Sequence, residues 1–198
     1  MWGSGLWVWI IIDHIKNQLH NTIQKYFFTL EIFKIETFFK GGLMALNLGD
    51  LQIRSPTFGP LERIPERYVY DEDNISPPVE WSGAPPDTKE FALICHDPDA
   101  PLPYGFTHWV VYGIPADVTG IGEGEGKEAF KEGTTGYGEQ GYGGPAPPPG
   151  HGPHHYYFWL YALDKALNLK PGLTREQLLD AIASHIIIQA RLVGIYEL

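Results

Sequence analysis

The chain has 198 residues, a single cysteine and a formal net charge of -10. That acidic balance argues against binding nucleic acid, which needs a basic face to neutralise phosphates, and against electrostatic docking on anionic membranes. The lone Cys95 excludes an internal disulfide framework and a multi-cysteine zinc site, while 23 Gly and 17 Pro in a 43% hydrophobic chain favour one all-β domain with many turns.

Residues 1–43 differ from everything after them. They are rich in Ile, Phe, Lys, Asn and Trp, lack proline, and carry four lysines against three acids, so the remaining residues hold a charge of -11. The apolar run Leu6-Trp7-Val8-Trp9-Ile10-Ile11-Ile12 ends at Asp13 and His14, well short of the roughly 20 residues a membrane-spanning helix needs. No basic residue precedes that run and no small-residue cleavage pattern follows it closely, so it does not read as a signal peptide. Three readings stay open: a helix packed on the domain, a membrane-interface helix, or an upstream extension. The last is preferred, with an extension over 1–43, helical or not native, and a domain over 44–198 whose first strand opens at Met44-Ala45-Leu46-Asn47-Leu48.

From Leu51 onward short apolar pieces alternate with turns. Asn74-Ile75-Ser76-Pro77-Pro78-Val79-Glu80-Trp81 is held extended by its prolines, with Trp81 as a core anchor. Phe91-Ala92-Leu93-Ile94-Cys95 is a continuous apolar run of strand length, which places the Cys95 thiol in the core. It delivers the chain at once into His96-Asp97-Pro98-Asp99-Ala100-Pro101, two carboxylates stiffened by two prolines. Alone, such a stretch reads as an acidic turn. The next strand, Thr107-His108-Trp109-Val110-Val111-Tyr112, starts with a histidine able to reach the same rim.

Residues 120–144 are dense in glycine and acid and read as a flexible connection. Gly120-Ile121-Gly122-Glu123-Gly124 lacks the Gly-Lys-Ser/Thr of a phosphate loop, and its glutamates would repel phosphate. Tyr156-Tyr157-Phe158-Trp159-Leu160-Tyr161-Ala162-Leu163, apolar on both alternating sets, is expected as a central strand covered on both faces. Thr174 caps a predicted helix with Glu176 and Gln177 in its first turn and Leu178, Leu179, Ile182 and Ala183 as its apolar stripe, running to about Ser184. The β-branched content of 186–196 favours a final strand.

Asp97, Asp99, His108, His154, His155 and Tyr156 thus converge on strand ends. A carboxylate beside an imidazole favours the cation, which can hold an anion, and the backbone N–H groups of Gly143 and Gly144 are candidate further donors. A rival reading is a metal-dependent hydrolase using His108, His151, His154 or His155 with an Asp. Against it, adjacent residues on a strand point to opposite faces, and no His-Glu-x-x-His element is present.

Asp97-Pro98-Asp99-Ala100-Pro101, then His108 at a strand start, then Gly144-Pro145-Ala146-Pro147-Pro148-Pro149-Gly150-His151-Gly152-Pro153-His154-His155-Tyr156, resembles the phosphatidylethanolamine-binding protein family, also called the Raf kinase inhibitor protein family. Ser76-Pro77-Pro78 with Trp81, and Gly194 with Tyr196, fit as well, and the likeness is closer to the small bacterial and archaeal branch. The resemblance covers about 46–198.

It implies a mainly β fold: an antiparallel β-sandwich with a large central sheet, a smaller sheet and a few peripheral helices, one near the C-terminus. It also implies a small anion pocket for phosphate, carboxylate or a phospholipid head group, lined by Asp97, His108, His154 and Tyr156 with Gly144 and Pro148 on its wall. Asp99 is expected to brace a loop. His155 stands where the family usually has Arg, so whatever that Arg braces must be held more weakly here, and His96 is a second departure. The expected protein is a non-catalytic, cytoplasmic binder with no cofactor and no metal. Its expected partners are a small anion or phosphorylated head group, a kinase or protease, and a second copy in a homodimer, without nucleic acid or transmembrane anchoring.

Overall fold

The computed structural model describes residues 49–198, with no side-chain description for Lys127 and Glu128. The expected extension over 1–43 and the strand expected at Met44 lie outside the described residues. All strand pairs are antiparallel. Strands β1 (Gln52–Arg54), β2 (Val79–Ser82) and β5 (Gly120–Ile121) form a small sheet in that order. Strands β3 (Glu90–Asp97), β4 (Phe106–Pro115), β6 (Lys131–Glu132), β7 (His154–Leu163) and β8 (Ile186–Tyr196) form the large sheet in the order β6-β4-β3-β7-β8. The sandwich expected from the sequence is thus present.

The pattern of burial explains why β3 reads as unbroken apolar sequence. Phe91, Leu93 and Cys95 point into the core shared with Ile53, Val79 and Trp81 of the small sheet, while Ala92 and Ile94 meet Leu178 and Ile182 on the other face. An antiparallel strand covered on both sides has no solvent face to alternate toward. β7 follows the same logic only in its second half. Tyr156 and Phe158 are buried inward, whereas Tyr157 and Trp159 are half-buried outward in a stacked ladder.

Helix α1 (Gly126–Ala129) is one short turn, and α2 (Arg175–Ile182) runs on into a 3₁₀ turn, Ala183–His185. Thr174 caps α2 as expected: its Oγ1 accepts from the Gln177 N–H at 3.3 Å, and the Gln177 side chain accepts from the Thr174 N–H at 3.0 Å. Residues 120–144 are not a loose connection. They carry β5, α1 and β6, and the Glu132 carboxylate accepts from the Trp109 indole N–H at 3.0 Å, tying the segment to the core. Some of its glycines serve close approach: a Cβ at Gly126 would meet the Trp109 ring at 2.7 Å and one at Gly133 the Leu173 carbonyl oxygen at 2.2 Å.

Two register irregularities interrupt the β3–β4 pairing, and one decides the site. Cys95 pairs with Trp109 but His96 pairs with Thr107, so β4 has one residue too many at His108. Such a bulge turns the extra side chain toward the face its neighbour occupies. Among the described residues no helix is long and apolar enough to cross a membrane.

Gly194 on β8 lies opposite Tyr156, and a Cβ there would meet Ile64 at 2.6 Å and Phe58 at 2.9 Å. Gly194→Ala should therefore destabilise the domain by about 1–3 kcal/mol through overpacking. Chemical denaturation checks this, and an unchanged midpoint would contradict the packing described.

Candidate functional site

Period-two alternation places Asp97 at the end of β3 and His154 and Tyr156 at the start of β7 on the inner face of the large sheet. The bulge adds His108 to the same corner. Its imidazole lies edge-on to Tyr156, with ring centroids 5.0 Å apart. Four of the residues singled out in the sequence therefore meet, and all four are buried.

Asp97 is the hub. One carboxylate oxygen accepts from the Asp99 N–H at 2.8 Å and the other from His154 Nδ1–H at 2.7 Å. An acceptor-only partner requires the donor on Nδ1, which sets the His154 tautomer. The other ring nitrogen of His154, Nε2, shares a hydrogen bond of 2.8 Å with His151 Nδ1. His155 points to the opposite side, where Asp99 Oδ2 accepts from its N–H at 2.9 Å and its Nδ1–H at 2.7 Å. Burial acts to raise the Asp99 pKa, but the two hydrogen bonds from His155 and its charge bring it below the ordinary carboxylate range. Asp99 is thus the expected loop brace, and His155 carries that contact in the usual place of Arg. The pair is largely exposed and correspondingly screened.

His108 departs from expectation. Asp97 bonds His154 and not His108, whose Nδ1–H instead donates to the carbonyls of Gly143 at 2.7 Å and Gly144 at 3.1 Å. Burial lowers its pKa to about 4, against the opposing pull of those carbonyls and of Asp97, so the ring is neutral at pH 7 rather than cationic. Nε2 is then a bare acceptor. The proposed N–H donors are also spent: Gly143 N–H donates to the His108 carbonyl at 2.8 Å and Gly144 N–H to Asn74 Oδ1 at 2.8 Å. Gly144 stands behind the wall, where a Cβ would strike the Tyr68 carbonyl oxygen at 2.1 Å.

Asp97, His108, His154 and Tyr156 line a cavity of about 290 Å³ together with Ala100, Pro101, Leu102, Phe106, Tyr137 and Pro147, and Pro148 lies on its wall as expected. Sequence reasoning missed Tyr137, Phe106 and Asn74. Tyr137 donates to the Gly144 carbonyl at 3.2 Å and packs edge-on against Phe106, and its one sequence signal is an aromatic isolated between Gly136 and Gly138. Asn74 adopts a left-handed backbone at φ 53°, which Asn tolerates better than most residues. The Tyr156 hydroxyl is buried with no hydrogen-bond partner among the described residues, and burial followed by the nearby Asp97 raises its pKa, so it stays a donor. A wider depression of about 610 Å³ lies over the small sheet, but its charged residues Arg54 and Glu80 pair with each other. No three His, Cys, Asp or Glu side chains among the described residues are grouped to hold a metal ion.

A two-sheet antiparallel sandwich with a small pocket at one end of its large sheet defines the fold class. The family model described as phosphatidylethanolamine-binding protein matches residues 54–197, and the chain belongs to that family. A UPF0098 protein of Methanothermobacter thermautotrophicus is 43% identical over 152 residues, 74% of this chain and 99% of that protein. Among solved structures, E. coli YbcL, described as a member of the mammalian PEBP family, matches with a TM-score of 0.71 at 30% identity, covering 75% of this chain and 99% of its own. A Chlamydia trachomatis homologue of phosphatidylethanolamine-binding protein also gives 0.71, at 37% identity and 76% and 99% coverage. The bacterial and archaeal likeness read from the motifs is borne out.

The depressed His108 pKa has a consequence for stability. The unfolded chain takes up a proton on this histidine near pH 6.5 and the folded chain only near 4, so the contribution is complete above about pH 6.5 and is lost as pH falls toward 4. In an NMR titration the His108 ring signals should hold their neutral shifts down to about pH 5. A midpoint near 6.5 would contradict the bonding described.

Proposed function

We propose that the protein is a non-catalytic binder whose pocket takes a small oxyanion: phosphate, a carboxylate or a phosphorylated head group. The observation that carries this reading is Tyr156, which lines the same cavity as His108 and Asp97 and whose buried hydroxyl has no hydrogen-bond partner among the described residues. A buried donor left unsatisfied costs free energy in the empty protein, and a ligand oxygen would satisfy it. Family membership supports binding in general.

Several observations favour binding over catalysis. Burial pushes the Cys95 thiol well above its ordinary pKa, which removes it as a nucleophile. Both ring nitrogens of His154 are occupied, and His155 faces away, which weakens the hydrolase alternative. A kinase or protease partner would be selected by the surface around the rim, where Leu102 and Tyr104 are exposed, rather than by the pocket. A cytoplasmic location and a homodimer belong to the same proposal.

Tyr156→Phe tests the reading cleanly because the hydroxyl has no hydrogen-bond partner among the described residues to abandon. Inorganic phosphate titrated against labelled protein should move the His108 and Tyr137 signals, and the variant should bind about tenfold or more weaker while its unfolding midpoint stays level or rises. Equal affinity in variant and parent would remove the hydroxyl from the site. A failure of phosphate to shift these signals in the parent would sink the anion pocket itself.

A further inference from the structure

A second cavity, of about 390 Å³, shares no lining residue with the anion pocket. It is bounded by Asn74 and Ser76 from the chain before β2, by Glu132 of β6, and by Glu139, Gly141 and Tyr142 from the connection after β6. Two of its polar side chains are more than nine-tenths buried, Glu132 being 7% exposed and Ser76 6%. Glu132 Oε1 accepts from the Trp109 indole N–H at 3.0 Å. The other oxygen, Oε2, is turned toward Gly141 on the cavity wall, where a Cβ would stand 3.4 Å from it. Neither Oε2 nor the Ser76 hydroxyl has a hydrogen-bond partner among the described residues.

A carboxylate withdrawn from water and satisfied on one oxygen needs a partner from the space it faces. The walls supply none. Among the described residues no lysine, arginine or histidine lines the cavity, and neither Glu132 nor Glu139 takes part in an ion pair. Glu139 is exposed, so it adds a second negative charge where solvent enters and draws cations in. We infer that this cavity binds a small organic cation, a primary ammonium whose head takes Glu132 Oε2 and the Ser76 hydroxyl and whose alkyl part lies along Tyr142. The Tyr142 hydroxyl is spent on the Tyr68 carbonyl at 2.9 Å, so the residue offers the ligand its ring.

The same lining selects among cations. A guanidinium pairs best with both oxygens of a carboxylate, and the Trp109 N–H already occupies one of them. An ammonium needs only single acceptors, and its three donors suit one carboxylate oxygen and a hydroxyl. A bare divalent ion is a poor fit, because two carboxylates are the whole charged complement and no three His, Cys, Asp or Glu side chains among the described residues are grouped to hold one. The cavity is instead above the roughly 300 Å³ at which small-molecule sites begin. Asn74 does not compete for the ligand with its Oδ1, which accepts from the Gly144 N–H at 2.8 Å.

The test titrates n-butylammonium into the full chain at constant ionic strength and reads the Trp109 indole N–H and the Gly141 amide by NMR. Both signals should shift and saturate, while neutral 1-butanol at the same concentrations leaves them in place. Methylguanidinium and calcium should bind about tenfold more weakly than n-butylammonium, the cost of one misplaced charge-assisted hydrogen bond. Glu132→Gln keeps an oxygen for the Trp109 N–H but removes the charge, and should weaken n-butylammonium about tenfold or more. Should that variant fail to fold, Ser76→Ala, expected to weaken binding by about threefold to tenfold, and the butanol comparison on the parent protein decide the matter. No shift in the parent, equal shifts with butanol, or undiminished binding in Glu132→Gln overturns the cation site. Tighter binding of calcium or methylguanidinium than of n-butylammonium overturns the ammonium assignment.

Discussion

A carboxylate removed from water must find its hydrogen bonds in the protein, and Asp97, 2% exposed, is the group on which this site depends. It lies at the last position of β3, so its two principal bonds join three pieces of chain: the strand, the proline-stiffened turn through Asp99, and the first residue of β7. Removing either partner would leave a buried polar group uncompensated, which costs more than the bond itself contributes. The sheet ends are thereby held together where the cavity opens. A rigid frame lowers the entropy lost when a ligand binds.

Around that frame the histidines divide their work. His154 is wholly engaged, between Asp97 and His151, and acts as a strut. His155, one residue on, crosses to the other face and braces Asp99. Backbone carbonyls, not a carboxylate, hold His108 Nδ1, and Nε2 has no hydrogen-bond partner among the described residues. These three imidazoles thus carry three roles. What separates them is the identity of the hydrogen-bond partner and the depth of burial.

The substitution of His155 for the family's usual Arg is absorbed at the surface. The Asp99 contact survives in a single side-chain bond supplemented by the backbone N–H, where a guanidinium would offer a planar fork. The exposed position keeps the energetic difference small. Meanwhile the inner face is untouched, because alternation along β7 separates the brace from the pocket by one residue.

Much of this protein was legible in one dimension because it rests on local rules. Apolar runs such as 91–95, the Thr174–Gln177 capping box and the Asp-Pro and Pro-rich stretches need only their neighbours to be read, and the order of the separated motifs was enough to identify the family. Alternation also predicted that His154 and His155 would diverge. What only the tertiary structure decided was which groups meet and in what state. The bulge that swings His108 inward depends on the pairing of β3 with β4, the neutrality of His108 on burial and on carbonyls some 35 residues away, and the wall at Tyr137 on a glycine-dense segment whose sequence reads as slack. Hydrogen-bond partners distant in sequence leave no periodic trace, so the chain alone pointed to a charged imidazole where the folded protein holds an acceptor.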